Sequence, residues 1–151
     1  MGVLYDYFRA ADASTVAVYM EASRGGSPVT SRAVDGVDAK GIEPVVTVGK
    51  LVASILDVPW HPGLVDTDEI WPMDNDEDGE GPVVLSLADD VRDVLAGIDD
   101  PRLPQLATRW SQIDEVARSD PDFIRSVLTD LVGLARRAAT AGDHLYCWVS
   151  L

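Results

Sequence analysis

Leu145-Tyr146-Cys147-Trp148-Val149 is the stretch that decides how this chain is expected to fold. Aromatic and β-branched residues favour strands, so the stretch is predicted to be one. Val3-Leu4-Tyr5-Asp6-Tyr7-Phe8, near the other end of the sequence, has the same character and predicts a second strand. We expect these two strands to pair in a small sheet.

The residues between the two strands show mainly helical patterns. Apolar residues recur at helical spacing, and Asp12 or Ser14, Pro44 and Asp120 stand where helices commonly begin. The predicted helices cover about residues 14–23, 44–56, 86–98, 102–118 and 121–141, with Gly142 ending the last. A chain of 151 residues is long enough for one core. The sequence therefore predicts a single α+β domain over residues 1–151, mainly helical, with a small sheet pairing the N-terminal and C-terminal strands.

The negative charge is concentrated in the middle of the chain. The formal net charge is −14, and residues 57–100 contain fourteen acidic residues against one base, Arg92, which places −13 in that interval. Prolines, glycines and polar residues from Asp57 to Gly81 predict a long irregular connection. We therefore expect an acidic connection at about residues 57–81, and long connections of this kind often carry function.

Composition also excludes several classes of function and indicates a compartment. Nucleic acids and anionic membrane surfaces attract clustered Lys and Arg, so this chain is predicted to bind neither. No apolar run is long enough to span a bilayer, and no secretory signal is evident. The single cysteine, Cys147, has no internal partner for a disulfide, which favours a reducing, cytoplasmic location.

No pattern in the sequence predicts a catalytic residue, a cofactor or a bound metal. Residues 74–79 match the first half of a calcium-binding loop, but Leu85 stands where the final glutamate ligand belongs. Cys147 and His144 are three residues apart on one strand, so their side chains are expected on opposite faces rather than as a nucleophile and base. These observations favour a protein that is not an enzyme.

The strongest candidates for contact residues lie in the acidic connection. Tryptophan and histidine side chains there could bind a partner, although packing that pins the connection to the body is an equally ordinary role. The acidic side chains could attract a basic surface. The candidate interaction residues are Trp60, His61, Trp71, Asp74, Asp76, Asp78 and Glu80.

These residues lead to one main hypothesis of function and two alternatives. We expect a non-catalytic protein-interaction module whose acidic face meets a basic protein, in salt-sensitive binding that weakens when the carboxylates at 74, 76, 78 and 80 are neutralised. The first alternative is a small-molecule-binding protein or enzyme with a pocket beside the sheet, lined by Tyr5, Tyr7, Tyr146 and Trp148. The second is that the acidity reflects the composition of the organism's proteins generally. The sequence does not indicate the partner or the oligomeric state.

Three local patterns follow one another along the chain: the opening strand after Met1-Gly2, the run Gly81-Pro82-x-x-Leu85-Ser86 before a helix containing Val91, and Ala139-x-x-Gly142-x-His144 before an apolar strand. Together they resemble the YfbM-like family of uncharacterised bacterial proteins. The resemblance covers about half of the chain in order and spacing. It implies an α+β cytoplasmic domain and supplies no catalytic residue.

Overall fold

The computed structural model describes residues 2–73 and 79–151. These residues form five strands and five α-helices. In chain order they are β1 (Leu4–Ala10), α1 (Ala13–Ala22), β2 (Gly36–Asp38), α2 (Gly49–Leu56), β3 (Thr67–Trp71), β4 (Val83–Leu87), α3 (Asp89–Ala96), α4 (Leu103–Ser111), α5 (Pro121–Ala141) and β5 (His144–Ser150). The α+β class is thereby confirmed.

A five-stranded antiparallel sheet organises the fold in the order β2-β1-β5-β4-β3. The predicted pairing of the terminal strands is its centre: β1 and β5 are matched over seven residues, from Leu4 opposite Ser150 to Ala10 opposite His144. β3 forms one end of the sheet. The strand pairing predicted from the two apolar stretches is therefore confirmed, within a larger sheet than the sequence indicated.

The larger core lies between the sheet and helices α2 to α5. Alternate strand residues, among them Tyr7, Leu87 and Cys147, point into it because successive side chains of a strand face opposite ways. Helix α5 contributes a buried stripe from Ile124 to Ala138, as its helical periodicity predicted. Gly142 ends α5 in the left-handed conformation (φ 72°) that glycine adopts without strain.

A smaller core covers the opposite face of the sheet. Helix α1 lies there, and the Asp12 side chain caps it by accepting a 2.8 Å hydrogen bond from the Thr15 N–H. The rings of Phe8 and Tyr146, on adjacent strands, stack with centroids 5.6 Å apart. The Trp148 indole N–H donates to the Gly25 carbonyl at 3.0 Å, which holds the segment after α1 against the sheet.

Two predicted elements in the middle of the chain need correction. The interval 57–81 is not irregular throughout, because it contains β3, which pairs with β4, and a short 3₁₀ turn at Pro62–Leu64. Ser86 does not begin a helix: it belongs to β4, and α3 begins at Asp89 after the N-cap Ala88.

The fourth helix also differs from its prediction. The α-helical part ends at Ser111 instead of continuing to Arg118. The chain then turns, and Val116 is buried within that turn.

Candidate functional site

Trp60 packs against the N-terminal end of α2. Its indole N–H donates to the Val45 carbonyl at 3.1 Å. A Cβ added at Gly49 would lie 2.6 Å from the indole nitrogen, so the glycine is what allows this close approach. Trp60 is half-buried and pins the connection to the helical layer, which is the packing role weighed against a contact role.

His61 has a local structural role in the same region. Its Nδ1 accepts a hydrogen bond from the Gly63 N–H at 3.2 Å and caps the short turn at Pro62–Leu64. The imidazole is exposed at this position. His61 therefore has a structural role as the cap of this turn, next to Trp60 in the sequence.

Trp71 lies on the other face of the sheet. It ends β3 and packs half-buried against the smaller core, with its ring 3.5 Å from where a Cβ of Gly25 would stand. Trp60 adjoins the helical layer instead. The two tryptophans therefore belong to different surfaces and do not form one aromatic contact site.

The acidic candidates are described only in part. Asp74, Asp76 and Asp78 lie outside the described residues, together with the calcium-like run that contains them. Glu80 is exposed. Within residues 2–73 and 79–151, no group of His, Cys, Asp and Glu is arranged to hold a metal ion.

The edge strand β3 contributes acidic residues that sequence reasoning missed. Asp66, Asp68 and Glu69 are exposed on or beside β3. Together with Glu80 they are outside every ion pair formed among the described residues. We refer to Asp66, Asp68, Glu69 and Glu80 as the acidic edge.

Some other carboxylates of the acidic interval lie near basic side chains. The Asp89 Oδ1 atom lies 2.7 Å from His144 Nδ1 and 3.5 Å from Arg92, which also contacts Asp93 at 3.0 Å. Arg136 from α5 contacts Asp100 at 2.7 Å. The folded chain thus leaves the negative charge of β3 less compensated than that of α3 and the following turn.

The backbone of β3 is also open on one side. The Ala88 N–H donates to the Asp66 carbonyl at 3.0 Å, so Asp66 and Asp68 are the positions that bond toward β4. Antiparallel ladders alternate bonded and unbonded pairs, which turns the N–H and C=O groups of Thr67 and Glu69 away from β4. Among the described residues no strand pairs with β3 on that side.

A crevice lined by both polar and apolar groups adjoins this edge on the face that carries α1. It is about 450 Å³ in volume and lies between the start of α1, at Ala13, and the end of β3. Glu69, Ile70, Pro72 and Met73 complete its lining, and Met73 is 85% exposed. Glu69 belongs to both the crevice lining and the acidic edge, so the two adjoin at this residue.

The structure brings together neither a nucleophilic cysteine–histidine pair nor the residues of the pocket expected beside the sheet. Burial raises the pKa of the Cys147 thiol far above its ordinary value, and the side chain is fully enclosed, so it stays protonated and unreactive. Cys147 faces the larger core and His144 the other side, as predicted. Tyr5 and Tyr7 face the larger core, between the sheet and helices α2 to α5. Tyr146 and Trp148 face the smaller core on the α1 side of the sheet, so these four residues do not line one pocket.

A second group of charged residues that the sequence did not single out ties distant segments together. Arg9 donates to Asp35 at 2.8 Å and to Asp143 at 2.7 Å, and Arg137 from α5 donates to Asp35 at 2.6 Å. These hydrogen bonds lower the pKa of Asp35, with Arg137 the largest cause. Because every guanidinium here already has carboxylate partners, the arrangement is a structural clamp between β1, α5 and the chain before β2.

Asp6 is a buried carboxyl on the α1 face of the sheet. Only 5% of it is exposed, and its Oδ2 accepts a 2.5 Å hydrogen bond from the Ser27 hydroxyl. Burial raises the pKa of Asp6 above its ordinary value of 3.8, and Asp38, opposite it on β2, raises it further. The native state therefore holds the Asp6 proton more tightly than the unfolded chain does.

This burial gives a prediction about pH and stability. The Asp6 contribution to the free energy of unfolding is fully present below pH 3.8 and is lost as pH rises through the higher native pKa. Asp6→Asn cannot ionise, so the variant should gain stability relative to the original chain across that window. Urea denaturation at several pH values between about 3 and 7 measures the difference.

Asp35→Asn is the matched control, because the pKa of Asp35 is lowered instead of raised. Its contribution is present above the ordinary carboxyl pKa and disappears as pH falls, so this variant should lose stability relative to the original chain as pH rises. Equal signs for the two variants would contradict the assignment of Asp6.

Comparisons of the chain with family models, curated proteins and solved structures find no match. The resemblance to the YfbM-like family therefore stays a prediction from the sequence. In the described parts of the chain, no helix combines the length and the apolar character needed to cross a membrane.

Proposed function

We propose that this protein is a non-catalytic, cytoplasmic interaction module that binds a basic protein through its acidic edge. The observation that carries the proposal is the exposure of Asp66, Asp68, Glu69 and Glu80, together with their position outside the ion pairs of the described residues. Carboxylates without a nearby cation keep their field available to a partner. Complementary charge chiefly raises the association rate and the specificity of such a complex.

A protective role is the main competing explanation for these charges. Charged side chains on an edge strand discourage pairing with other copies of the chain, and natural sheets use them in this way. Protection requires only that the charges be present. A binding role also requires that a basic partner lose affinity when the charges are removed, and this difference can be measured.

The test compares two variants that each remove four negative charges, taking the net charge from −14 to −10. The edge variant carries Asp66→Asn, Asp68→Asn, Glu69→Gln and Glu80→Gln. The control variant neutralises four exposed carboxylates on α1, α5 and the turn between α4 and α5: Glu21→Gln, Asp114→Asn, Asp122→Asn and Asp130→Asn. Both are used beside the original chain to capture proteins from lysate of the source organism.

We expect the original chain and the control variant to capture the same basic proteins at about 50 mM salt and to release them at about 500 mM. Exposed ion pairs contribute roughly 0.2–1 kcal/mol each, so the edge variant should bind about tenfold more weakly. Equal capture by both variants would sink the proposal. A third variant, neutralised at Asp74, Asp76, Asp78 and Glu80, tests the sequence-based prediction with the same readout.

A further inference from the structure

The edge strand β2 carries an acidic residue that faces another acidic residue on β1. Asp38 lies opposite Asp6 in the register of the two strands. The Ala39 N–H donates to the Tyr5 carbonyl at 3.0 Å, so Tyr5 and Ala39 form a hydrogen-bonded pair and the next pair, Asp6 and Asp38, is not hydrogen-bonded through its backbone. Side chains approach most closely across pairs of that kind. Two carboxyl groups therefore face each other at the shortest spacing that an antiparallel ladder offers.

Asp6 is buried among groups that only partly offset this repulsion. It is 5% exposed, and its carboxyl lies within hydrogen-bonding reach of the Asp38 carboxyl. Burial raises the pKa of Asp6 most, and Asp38 raises it further. The Ser27 hydroxyl, which donates to Asp6, and Lys40, exposed in the chain after β2, lower this pKa. From β5 the residue opposite Asp6 is Trp148, which is uncharged, so a proton on Asp6 is the main relief available.

The two ends of β2 are held differently. Before β2, the Asp35 carboxylate is fixed by Arg9 and Arg137, and the Asp35 carbonyl accepts a 3.2 Å hydrogen bond from the Arg9 N–H. The other end of the ladder closes with the Ala39 N–H, beside the two facing carboxyl groups. β2 is only three residues long. Repulsion at Asp38 therefore acts on the end of β2 that the clamp does not hold.

We infer that β2 is an edge strand whose closure depends on one proton: protonated Asp6 donates a hydrogen bond to Asp38 and holds the strand closed, and loss of this proton loosens the Asp38 end. The closed strand holds the Asp6 proton more tightly than the open one does. Closure is therefore favoured at low pH and weakens as pH rises from 3.8 through the higher native pKa of Asp6. Each opening frees the Tyr5 carbonyl on the outer side of β1. This device is independent of the acidic edge and of the proposed partner.

Amide hydrogen exchange of the full chain, followed by NMR from about pH 4 to about pH 7, tests the inference. The Ala39 N–H reports on the Asp38 end of β2. The Arg9 N–H, which bonds to the clamped Asp35, is the reference in the same ladder. Dividing the Ala39 protection factor by that of Arg9 removes changes in global stability. Because like charges directly opposite destabilise a strand pair, we expect this ratio to fall at least about threefold over the range.

Substitutions at the facing carboxyl groups supply the comparison. Asp6→Asn and Asp38→Asn each remove one of the two charges, so the ratio should stay constant with pH within about 1.5-fold in both variants. Asp66→Asn removes one exposed charge beside β3 and is the matched control, in which the full fall should persist. Lys40→Gln should move the midpoint of the fall to higher pH, because Lys40 lowers the pKa of Asp6.

Three results would overturn the inference. The first is a ratio that does not change with pH in the original chain. The second is a fall in Asp38→Asn as large as that in Asp66→Asn, which would show that the facing charges are not its cause. The third is a midpoint that Lys40→Gln leaves in place, which would assign the titration to a group other than Asp6.

Discussion

Replacing Trp110 by alanine should lower the free energy of unfolding by about 4 kcal/mol, the largest loss expected from any single truncation in the chain. Trp110 is 1% exposed, and its indole N–H donates to the Thr47 carbonyl at 2.8 Å. The change leaves a cavity under α4 and also deprives a buried carbonyl of its donor. Urea denaturation followed by far-UV circular dichroism measures the loss.

Two further variants separate the causes. Trp110→Phe keeps a buried aromatic ring but removes the donor and part of the indole volume, so it should cost about 2 kcal/mol. Val18→Ala, at a side chain 64% exposed on α1, should change stability by less than about 0.5 kcal/mol. If Trp110→Ala were as mild as Val18→Ala, α4 would not pack as the structure describes.

The second large effect is expected at Gly36, where β2 meets β1. A Cβ at this position would stand 2.5 Å from a methyl group of Val29 and 2.6 Å from the Tyr7 carbonyl oxygen. The Tyr7 contact is with backbone that is held in the sheet opposite β5, so it cannot relax without moving a central strand. Gly36→Ala should therefore lower the free energy of unfolding by about 3 kcal/mol.

Gly81→Ala is the matched substitution, since a Cβ at Gly81 meets nothing within 4 Å. We expect it to be neutral or slightly stabilising, because alanine restricts the unfolded chain more than glycine does. Thermal unfolding of both variants checks the contrast. Similar melting temperatures for the two would show that β2 does not approach β1 as closely as the register requires.

The elements that the sequence predicted well are those whose own residues determine them. Helix α5 has a proline at its start, a long apolar stripe and a glycine at its end, and β1 and β5 are rich in aromatic residues. Their local preferences agree with their final environment. Such agreement makes a pattern readable without knowledge of the fold.

The elements that were missed depend on partners elsewhere in the chain. β2 is three residues long and becomes a strand because β1 supplies its hydrogen bonds. β3 carries Asp68 and Glu69, and acidic residues are unfavourable in strands, so its pattern resembled a connection. Ser86, with an acidic residue three positions later, imitates a helix start although pairing with β3 and β5 keeps it in a strand.

The sequence predicted that the candidate site would be acidic, but not which acidic residues would form it. Charge counts located an acidic interval, because the number of charged residues in a segment does not depend on how the segment folds. They could not show that Arg92, Arg136 and His144 would approach some of its carboxylates and leave those of β3 unpaired. Likewise, no spacing rule could assign Trp60 and Trp71 to opposite faces, since the chain between them turns and then enters the sheet.

The pairing of β1 with β5 has a consequence for how the chain comes to fold. Tyr7 lies opposite Cys147, which follows 140 positions later, and β4 also depends on β5 for a partner. During synthesis β1 and β4 each keep one strand edge unoccupied until β5 has emerged. Contacts so far apart in sequence slow folding, so the interval before β5 arrives is when this protein is most exposed to aggregation or most in need of a chaperone.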